Sequence, residues 1–483
     1  MTQATAEINE NRATDKNKMG AMPVGRLIIT MSLPVMLSML VQALYNFIDS
    51  VYVSRINENA LTALSMAYPA QYLMIAVMTG TGVGVNALLS KSLGEKNRER
   101  ASQAANTGIF LGIAGSILFA VLGILFTRYY FTSQTEFQEI IDYGTEYLSI
   151  VTIFSFGLAG QVTFERLLQS TGKTLLSMIT QCSGAVLNII LDPILIFGWL
   201  GLPAMGVKGA AVATVISQCT AAALAFVLNI SLNSEIKLKI AEIRPRAEII
   251  KRIFAVGIPV AVMMSISSVM IYGLNRILIA FTPTAIAVFG AYSRLEHFLF
   301  MPVFGLSTSI VSIISYNYGA GSKRRILQAI RLSILYATVV MAIGFALFQA
   351  FPGHLLSMFK ASETMLEIGV PAFRIISISF IFAGFCVVSG SVFQALGSGL
   401  PSMLESLARQ LLALLPLAYV FAKTGGLDAV WWAYPLAEIV SVAMCIAFLR
   451  YFYVKRIKPL PDPEPEQQHE TIYDGLSRRK IRP

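Results

Sequence analysis

The chain has 483 residues, of which 55% are hydrophobic and only 13% are charged. A soluble domain carries about 25% charged residues, so this composition excludes an ordinary soluble protein. The formal net charge is +10, but the basic residues lie in short connections and in the C-terminal tail. That placement is typical of membrane topology and argues against nucleic-acid binding.

Twelve apolar segments follow one another along the chain, separated by hydrophilic breaks. A helix that crosses a bilayer needs about 20 apolar residues, and each segment is long enough. We therefore predict an all-α polytopic membrane protein with twelve transmembrane helices. The predicted spans are approximately 27–53, 62–89, 104–127, 143–165, 174–200, 208–231, 252–281, 285–315, 327–351, 365–392, 401–422 and 428–450.

Lys and Arg residues are distributed unequally between the two sides of these spans. The side with both chain termini carries 28 of the 37 basic residues, and the opposite side carries 5. The positive side of a membrane protein faces the cytoplasm, so we expect both termini there. The predicted segments are a cytoplasmic N-terminal segment (1–26), an N-lobe of spans one to six (27–231), a cytoplasmic linker (232–251), a C-lobe of spans seven to twelve (252–450) and a cytoplasmic, disordered tail (451–483).

An internal repeat relates the two lobes at a constant offset of 225 positions. The matching residues are Pro34 with Pro259, Gly80 with Gly305, Ser90 with Ser315, Gly94 with Gly319, Arg100 with Arg325, Gln169 with Gln394, and Gly172 with Gly397. Since a unit of six spans is even, both copies enter the membrane in the same direction. We therefore predict two parallel-repeat lobes around a central cavity, an arrangement suited to alternating access.

The chain shows no sign of a nucleotide-driven pump. The string Gly172-Lys173-Thr174 lacks the glycine that a phosphate-binding loop places five residues earlier, because Leu167 occupies that position. The three histidines and four cysteines are too scattered for a metal centre or a catalytic cluster. We therefore expect no enzyme active site and no cofactor. Facilitated or ion-coupled transport remains.

Ion coupling requires a titratable or cation-binding group inside the membrane, where such groups are costly and are functional candidates. Asp49 in span one and Asp192 in span five lie at similar depth, in the half of each span farther from the termini. Asn188 shares a helix face with Asp192, and Thr214 of span six lies at comparable depth. These four oxygen-bearing residues predict one cation-coupling site, for H⁺ or Na⁺, in the first lobe. The second lobe has no counterpart, since Asp49 maps to Leu274.

Further candidates concern the substrate cavity and the movement of the lobes. The cavity candidates are Gln71, Glu296, Arg294, Tyr45, Asn46 and Met264. Arg294 or Arg374 is expected to neutralise Glu296, and Glu405 with Arg409 is expected to form a structural ion pair. Proline removes a helical hydrogen bond and creates a bend point. Pro34 and Pro259 are therefore either passive kinks or hinges.

Several short strings accompany the repeat within about residues 22–450. They include Asn46-Phe-Ile-Asp49, Gln169-Ser-Thr-Gly172-Lys173, Asn188-Ile-Ile-Leu-Asp192-Pro193, Gly209-Ala-Ala-Val-Ala-Thr214 and Met301-Pro302-Val-Phe-Gly305. With these strings and the repeat, the chain resembles the multidrug and toxic compound extrusion (MATE) family, and within it the bacterial DinF-like branch. One branch of the family carries coupling acids in spans seven and ten, and this chain lacks them.

The resemblance implies a monomeric antiporter in the bacterial cytoplasmic membrane. It would export organic cations, dyes or other drugs against inward H⁺ or Na⁺, with Asp49, Asn188, Asp192 and Thr214 as its cation site. Two alternatives stay open: a flippase for a lipid-linked precursor or polysaccharide, and an exporter of one endogenous metabolite. The partners expected are small molecules and the lipid bilayer, without nucleic acid.

Overall fold

The computed structural model describes residues 17–359 and 361–461. Ten of its helices are long and apolar enough to cross a membrane, and two bent helix pairs bring the number to twelve. The spans of the first lobe are Val24–Ser54, Glu58–Gly94, Arg98–Thr132, Gln138–Ile153 with Phe156–Ser170, Thr174–Phe197 and Val207–Leu232. Those of the second lobe are Ala247–Leu278, Pro283–Gly319, Lys323–Ala350, Glu363–Ser377 with Phe380–Ala395, Leu400–Thr424 and Gly426–Ile457.

Spans four and ten are broken, whereas the sequence predicts continuous helices. Span four is bent by 46° between its two halves, and span ten is bent by 49°. Ser155, at the first break, donates from its hydroxyl to the carbonyl of Ser116 in span three at 3.2 Å. Ser379, at the second break, bonds back to Ile376 at 2.7 Å. Hydropathy does not register these breaks because the flanking residues are equally apolar.

Equivalent hydrogen bonds in the two lobes confirm the repeat. Ser90 donates to the carbonyl of Ser170 at 2.9 Å, and Ser315 donates to the carbonyl of Ala395 at 2.8 Å. Each pair ties the second or eighth span to the fourth or tenth, and all four positions obey the offset of 225. The chain thus folds the same six-helix unit twice.

Small residues allow the lobes to cross-pack closely in one half of the bundle. A methyl group on Gly257 of span seven would lie 3.0 Å from the carbonyl oxygen of Gly80 in span two. In the second copy of this contact, a methyl group on Gly305 of span eight would lie 2.8 Å from Met36 of span one. Gly94 likewise faces the backbone carbonyl of Tyr316.

These close contacts lie toward the end of the bundle that carries the termini, which we call the terminal end. Gly94 is the last residue of span two, and the contacts continue inward only as far as the level of Gly80. The structure therefore has its lobes closed on each other at the terminal end. The main cross-lobe contacts join span one to span eight, and span two to spans seven and eight.

The segment before span one fastens this closed end. Arg325 in span nine donates to the carbonyls of Met19 and Met22 at 2.9 and 2.8 Å, and to Asn317 at 2.8 Å. On the other lobe, Asn17 donates to the carbonyl of Thr171 at 3.3 Å. We call residues 17–22 the N-terminal strap, because they bond to both lobes.

The two prolines at equivalent positions have different surroundings. Pro259 has no N–H, so the carbonyl of Ala255 loses its helical donor. The backbone N–H of Gly399 takes that place at 3.1 Å. Pro34 leaves the carbonyl of Thr30 free in the same way, and no backbone donor from another helix reaches it in the described part of the chain. Span seven is thus fastened at its proline and span one is not.

Candidate functional site

The first-lobe site is built around two carboxyl groups that face each other. Asp49 lies five residues before the end of span one and Asp192 five residues before the end of span five. Each is therefore about 7.5 Å of helix from the end opposite the termini. The two side chains lie within hydrogen-bonding reach of each other. Asp192 is fully buried, and Asp49 Oδ1 meets no donor among the described residues.

Asn188 and Thr214 complete this group. When its amide is oriented to satisfy both polar ends, Asn188 donates to Asp192 Oδ2 at 3.1 Å and accepts from the backbone N–H of Thr214 at 3.3 Å. Both residues are buried, at 2% and 5% exposure. The amide thereby fixes the carboxyl of Asp192 against span six. The structure brings together all four residues that the sequence predicts for a cation-coupling site.

Tyr45 and Gln71 lie in this same first-lobe site. Tyr45 is close enough to interact electrostatically with both aspartates. Gln71 of span two is within hydrogen-bonding reach of the Tyr147 hydroxyl, and Tyr147 in turn lies near Asp49. The sequence analysis missed Tyr147 because a buried tyrosine in an apolar span carries no distinguishing pattern.

Glu296 lies elsewhere, in a second group inside the second lobe. Tyr292 lies beside it, and the basic side chain near it is Arg409 of span eleven. Arg294 and Arg374, the neutralising partners expected from the sequence, both occupy exposed positions. That expectation is wrong because span eleven inserts its arginine between spans eight and twelve.

The other predicted cavity residues do not converge on either group. Arg294 and Asn46 are exposed, and Met264 of span seven is half-buried. No hydrogen bond or ion pair in the described ranges joins their side chains to the aspartates. Their assignment to the substrate cavity remains a prediction.

Glu165 is a buried acid that the sequence analysis passed over. It is 7% exposed and accepts from Gln161 Nε2 at 3.1 Å and from Thr180 Oγ1 at 3.4 Å. The predicted span four ended at this residue, which made it a membrane-edge position. The helix instead continues to Ser170, about 7.5 Å farther. Glu165 is buried because the helix continues beyond the apolar stretch that the sequence shows.

The candidate acids of the described residues do not gather into a metal-binding group. Within residues 17–359 and 361–461, no group of three or more His, Cys, Asp or Glu side chains is arranged to hold a metal ion. The first-lobe site offers two carboxyl groups, of which Asp192 is already engaged by Asn188.

Comparison with known proteins assigns the family. The MatE family model matches residues 34–194 and 259–420, two stretches separated by the offset of the internal repeat. The match covers more than half of the chain. The protein therefore belongs to the MatE family of multi-pass membrane transporters.

Individual relatives have diverged far in sequence. The chain is 26% identical over 429 residues to the multidrug export protein MepA of Staphylococcus haemolyticus, covering 88% of this chain and 92% of the relative. It is 25% identical over 453 residues to a protein named FAD transporter from Shewanella oneidensis, covering 92% and 97%. A solved structure described as the outward-facing conformation of a multidrug resistance MATE transporter matches with a TM-score of 0.85 at 24% identity, covering 92% of this chain and 98% of that one.

Proposed function

We propose that this protein is a proton-coupled antiporter that exports lipophilic, often cationic, organic compounds by alternating access. The observation that carries the proposal is the pair Asp49 and Asp192, whose carboxyl groups face each other inside the membrane. Two adjacent carboxylates repel each other, and the uptake of one proton removes that repulsion. Loading and unloading of this proton is the step that couples to substrate.

A proton is the coupling ion that the surroundings favour. A carboxyl–carboxyl hydrogen bond requires one proton between the two groups. Asn188 donates to one oxygen of Asp192 and accepts from the backbone N–H of Thr214, so the second oxygen of Asp192 and the carboxyl group of Asp49 are left to share that proton. Sodium coupling is the competing possibility, and it predicts transport that follows a sodium gradient at fixed pH.

The closed terminal end supports alternating access. In this state the first-lobe site lies in the half of the bundle away from the cross-lobe contacts of Gly80, Gly94 and Gly305. With the termini in the cytoplasm, as the distribution of basic residues favours, the site faces the outside. We place the protein in the bacterial cytoplasmic membrane. One chain provides both lobes, so a monomer suffices.

Acidic side chains inside the membrane favour cationic substrates. Asp49, Asp192, Glu165 and Glu296 lie within spans and are buried or half-buried. Organic cations gain from carboxylates and from stacking on Tyr45. The likeness to MepA supports the same class, since that relative is named a multidrug export protein.

FAD export is the second candidate, because one relative covered over 97% of its length is named FAD transporter. FAD is a dinucleotide with a negatively charged pyrophosphate, which binds best to arginine and lysine. The first-lobe site instead presents two carboxyl groups. The charge of the site therefore favours cationic compounds over FAD, and the flippase alternative meets the same objection for phosphate-bearing lipids.

The test is transport by the full chain reconstituted in lipid vesicles with an imposed pH gradient. We expect gradient-driven movement of a cationic dye such as ethidium, and no movement of FAD. Movement of FAD without dye transport would overturn the proposed substrate class. Movement of neither compound under any gradient would contradict the proposed antiport of organic cations.

A further inference from the structure

A cluster of ionisable side chains occupies the middle of the second lobe. We call it the second-lobe acidic cluster: Glu296 of span eight, Glu405 and Arg409 of span eleven, and Glu438 of span twelve. Glu296 lies 13 residues after Pro283, which is about 20 Å along its helix. The cluster is thus well inside the bundle. It has no equivalent in the first lobe at the repeat offset.

One carboxyl group of the cluster has an ion-pair partner and a hydrogen-bond donor on the same oxygen. Arg409 Nε lies 3.3 Å from Glu405 Oε1, and the hydroxyl of Ser441 donates to the same oxygen. Arg409 belongs to a π-helical stretch, Ala408–Leu414, and such wide turns occur frequently at functional sites. Glu405 is therefore the fixed anion of Arg409.

Glu438 is only half paired. Its Oε2 lies 3.5 Å from Arg409 Nη1. Its Oε1 is buried and has no hydrogen-bond donor in the described residues apart from the weakly polar thiol of Cys386 nearby. The whole side chain is 4% exposed. A buried carboxylate oxygen without a donor is a position where a proton would be bound.

Glu296 lies close enough to the same arginine to interact with its charge. Tyr292 and Tyr434 lie beside Glu296, and the buried hydroxyl of each lacks a hydrogen-bond partner in the ranges described. The cluster therefore holds three carboxyl groups against one guanidinium. Full ionisation would leave two uncompensated negative charges in the membrane interior, where an unpaired charge is costly.

The charges of the cluster favour a proton over a metal cation as its ligand. Arg409 already occupies the centre that a metal cation would need, and its charge repels a second cation. The described acids also do not converge into a metal-binding group. A carboxyl group next to a paired arginine can still take up a proton, and the free oxygen of Glu438 and the hydroxyl of Tyr434 can stabilise it.

We propose that Glu296 and Glu438, which both lie beside Arg409, share one exchangeable proton. The second-lobe acidic cluster is then a second proton-binding centre. The groups that face this proton are Arg409, Glu405, Tyr292, Tyr434, Cys386 and Cys445. The centre is independent of Asp49 and Asp192, which lie in the other lobe. Its participation in the transport cycle rests on the proposed function, whereas its binding of a proton does not.

The test counts protons taken up by the purified full chain as the medium is acidified through the neutral range. The reference protein carries Asp49→Asn and Asp192→Asn, so that the first-lobe proton is absent. We expect Glu438→Gln in this background to take up about one proton fewer per chain. We also expect infrared difference spectra to lose one carboxylic-acid C=O band.

Glu367→Gln is the matched control, since Glu367 is an exposed acid of span ten that lies outside the cluster. It should leave the proton count unchanged. An unchanged count in Glu438→Gln would overturn the inference. If that variant does not fold, Glu296→Gln is measured in its place and must give the same loss. Failure of pH-driven dye transport with proton uptake intact would refute only the proposed function.

Discussion

The two lobes share one scaffold and differ in the chemistry placed inside it. The hydrogen bonds of Ser90 and Ser315 are the same bond at equivalent positions. The first lobe holds a pair of aspartates to which no arginine of the described residues is bonded, whereas the second lobe holds three glutamates around Arg409. Duplication thus preserved the framework, while the ionisable groups arose at unrelated positions.

The repeat offset shows why the groups cannot be exchanged. Asp49 corresponds to Leu274, which is fully buried in the second-lobe core. Arg409 corresponds to Gly184, where an added methyl group would lie 3.0 Å from the side chain of Ala221. At these equivalent positions, one lobe has an ionisable side chain and the other has a tightly packed apolar residue. We infer that the first lobe couples proton movement to transport directly, and that the second lobe binds its proton independently.

The largest effect is expected at Asp192. Replacing it with asparagine keeps the shape and the bond to Asn188 but removes the titrating group. Gradient-driven dye efflux should fall to the level of protein-free vesicles, with expression and thermal stability retained. Asp142→Asn, which removes an exposed acid paired with Arg128 at 3.8 Å, should transport at the wild-type rate. Wild-type efflux by the Asp192 variant would refute direct coupling by the first lobe.

Cross-lobe packing gives the next largest effect. Gly94→Leu places a side chain against the backbone of Tyr316, and overpacking of this kind typically costs about 1–3 kcal/mol. The terminal end should then open, which spin labels on opposite lobes would report as a longer distance. Gly290→Leu is the control, because nothing lies within 4 Å of a methyl group there. An unchanged distance in the Gly94 variant would contradict closure through this contact.

Substitution of the two equivalent prolines tests whether span one has a hinge where span seven has a fixed bend. Pro34→Ala restores a donor to the carbonyl of Thr30 and stiffens span one, so dye efflux should slow by about tenfold, which corresponds to about 1.4 kcal/mol. Pro259→Ala meets a carbonyl already bonded by Gly399 at 3.1 Å and should slow efflux less than threefold. Initial rates in vesicles decide the matter. Equal slowing of both variants would remove the distinction between the spans.

The equivalent arginines test the N-terminal strap. Arg325 donates three bonds to Asn317 and the strap, whereas Arg100 reaches Glu95 at 3.3 Å near the surface. Arg325→Ala should destabilise the protein by about 1–3 kcal/mol, since buried partners lose their donor. Arg100→Ala should cost about 0–1 kcal/mol. Thermal unfolding in detergent measures both, and a larger loss at Arg100 would show that the strap is unimportant.

The twelve apolar segments and the internal repeat were sufficient to predict the two-lobe fold. The depth of Asp49 and Asp192 also placed these residues together, since helix rise converts residue number into height. Of the second-lobe acidic cluster, the sequence predicted the Glu405–Arg409 pair but not its approach to Glu296 and Glu438, because height does not give the rotation of span eleven. The π-helical turn at Ala408–Leu414 changes that rotation. Glu165 was missed because the helix extends beyond its apolar stretch.

The central claim is that the first lobe couples transport to a proton. The most direct measurement is dye efflux from vesicles with a pH gradient or a sodium gradient imposed separately, in wild type and in Asp192→Asn. We expect efflux to follow the pH gradient alone and to vanish in the variant. Efflux that follows sodium at fixed pH, or that survives in Asp192→Asn, would contradict the claim.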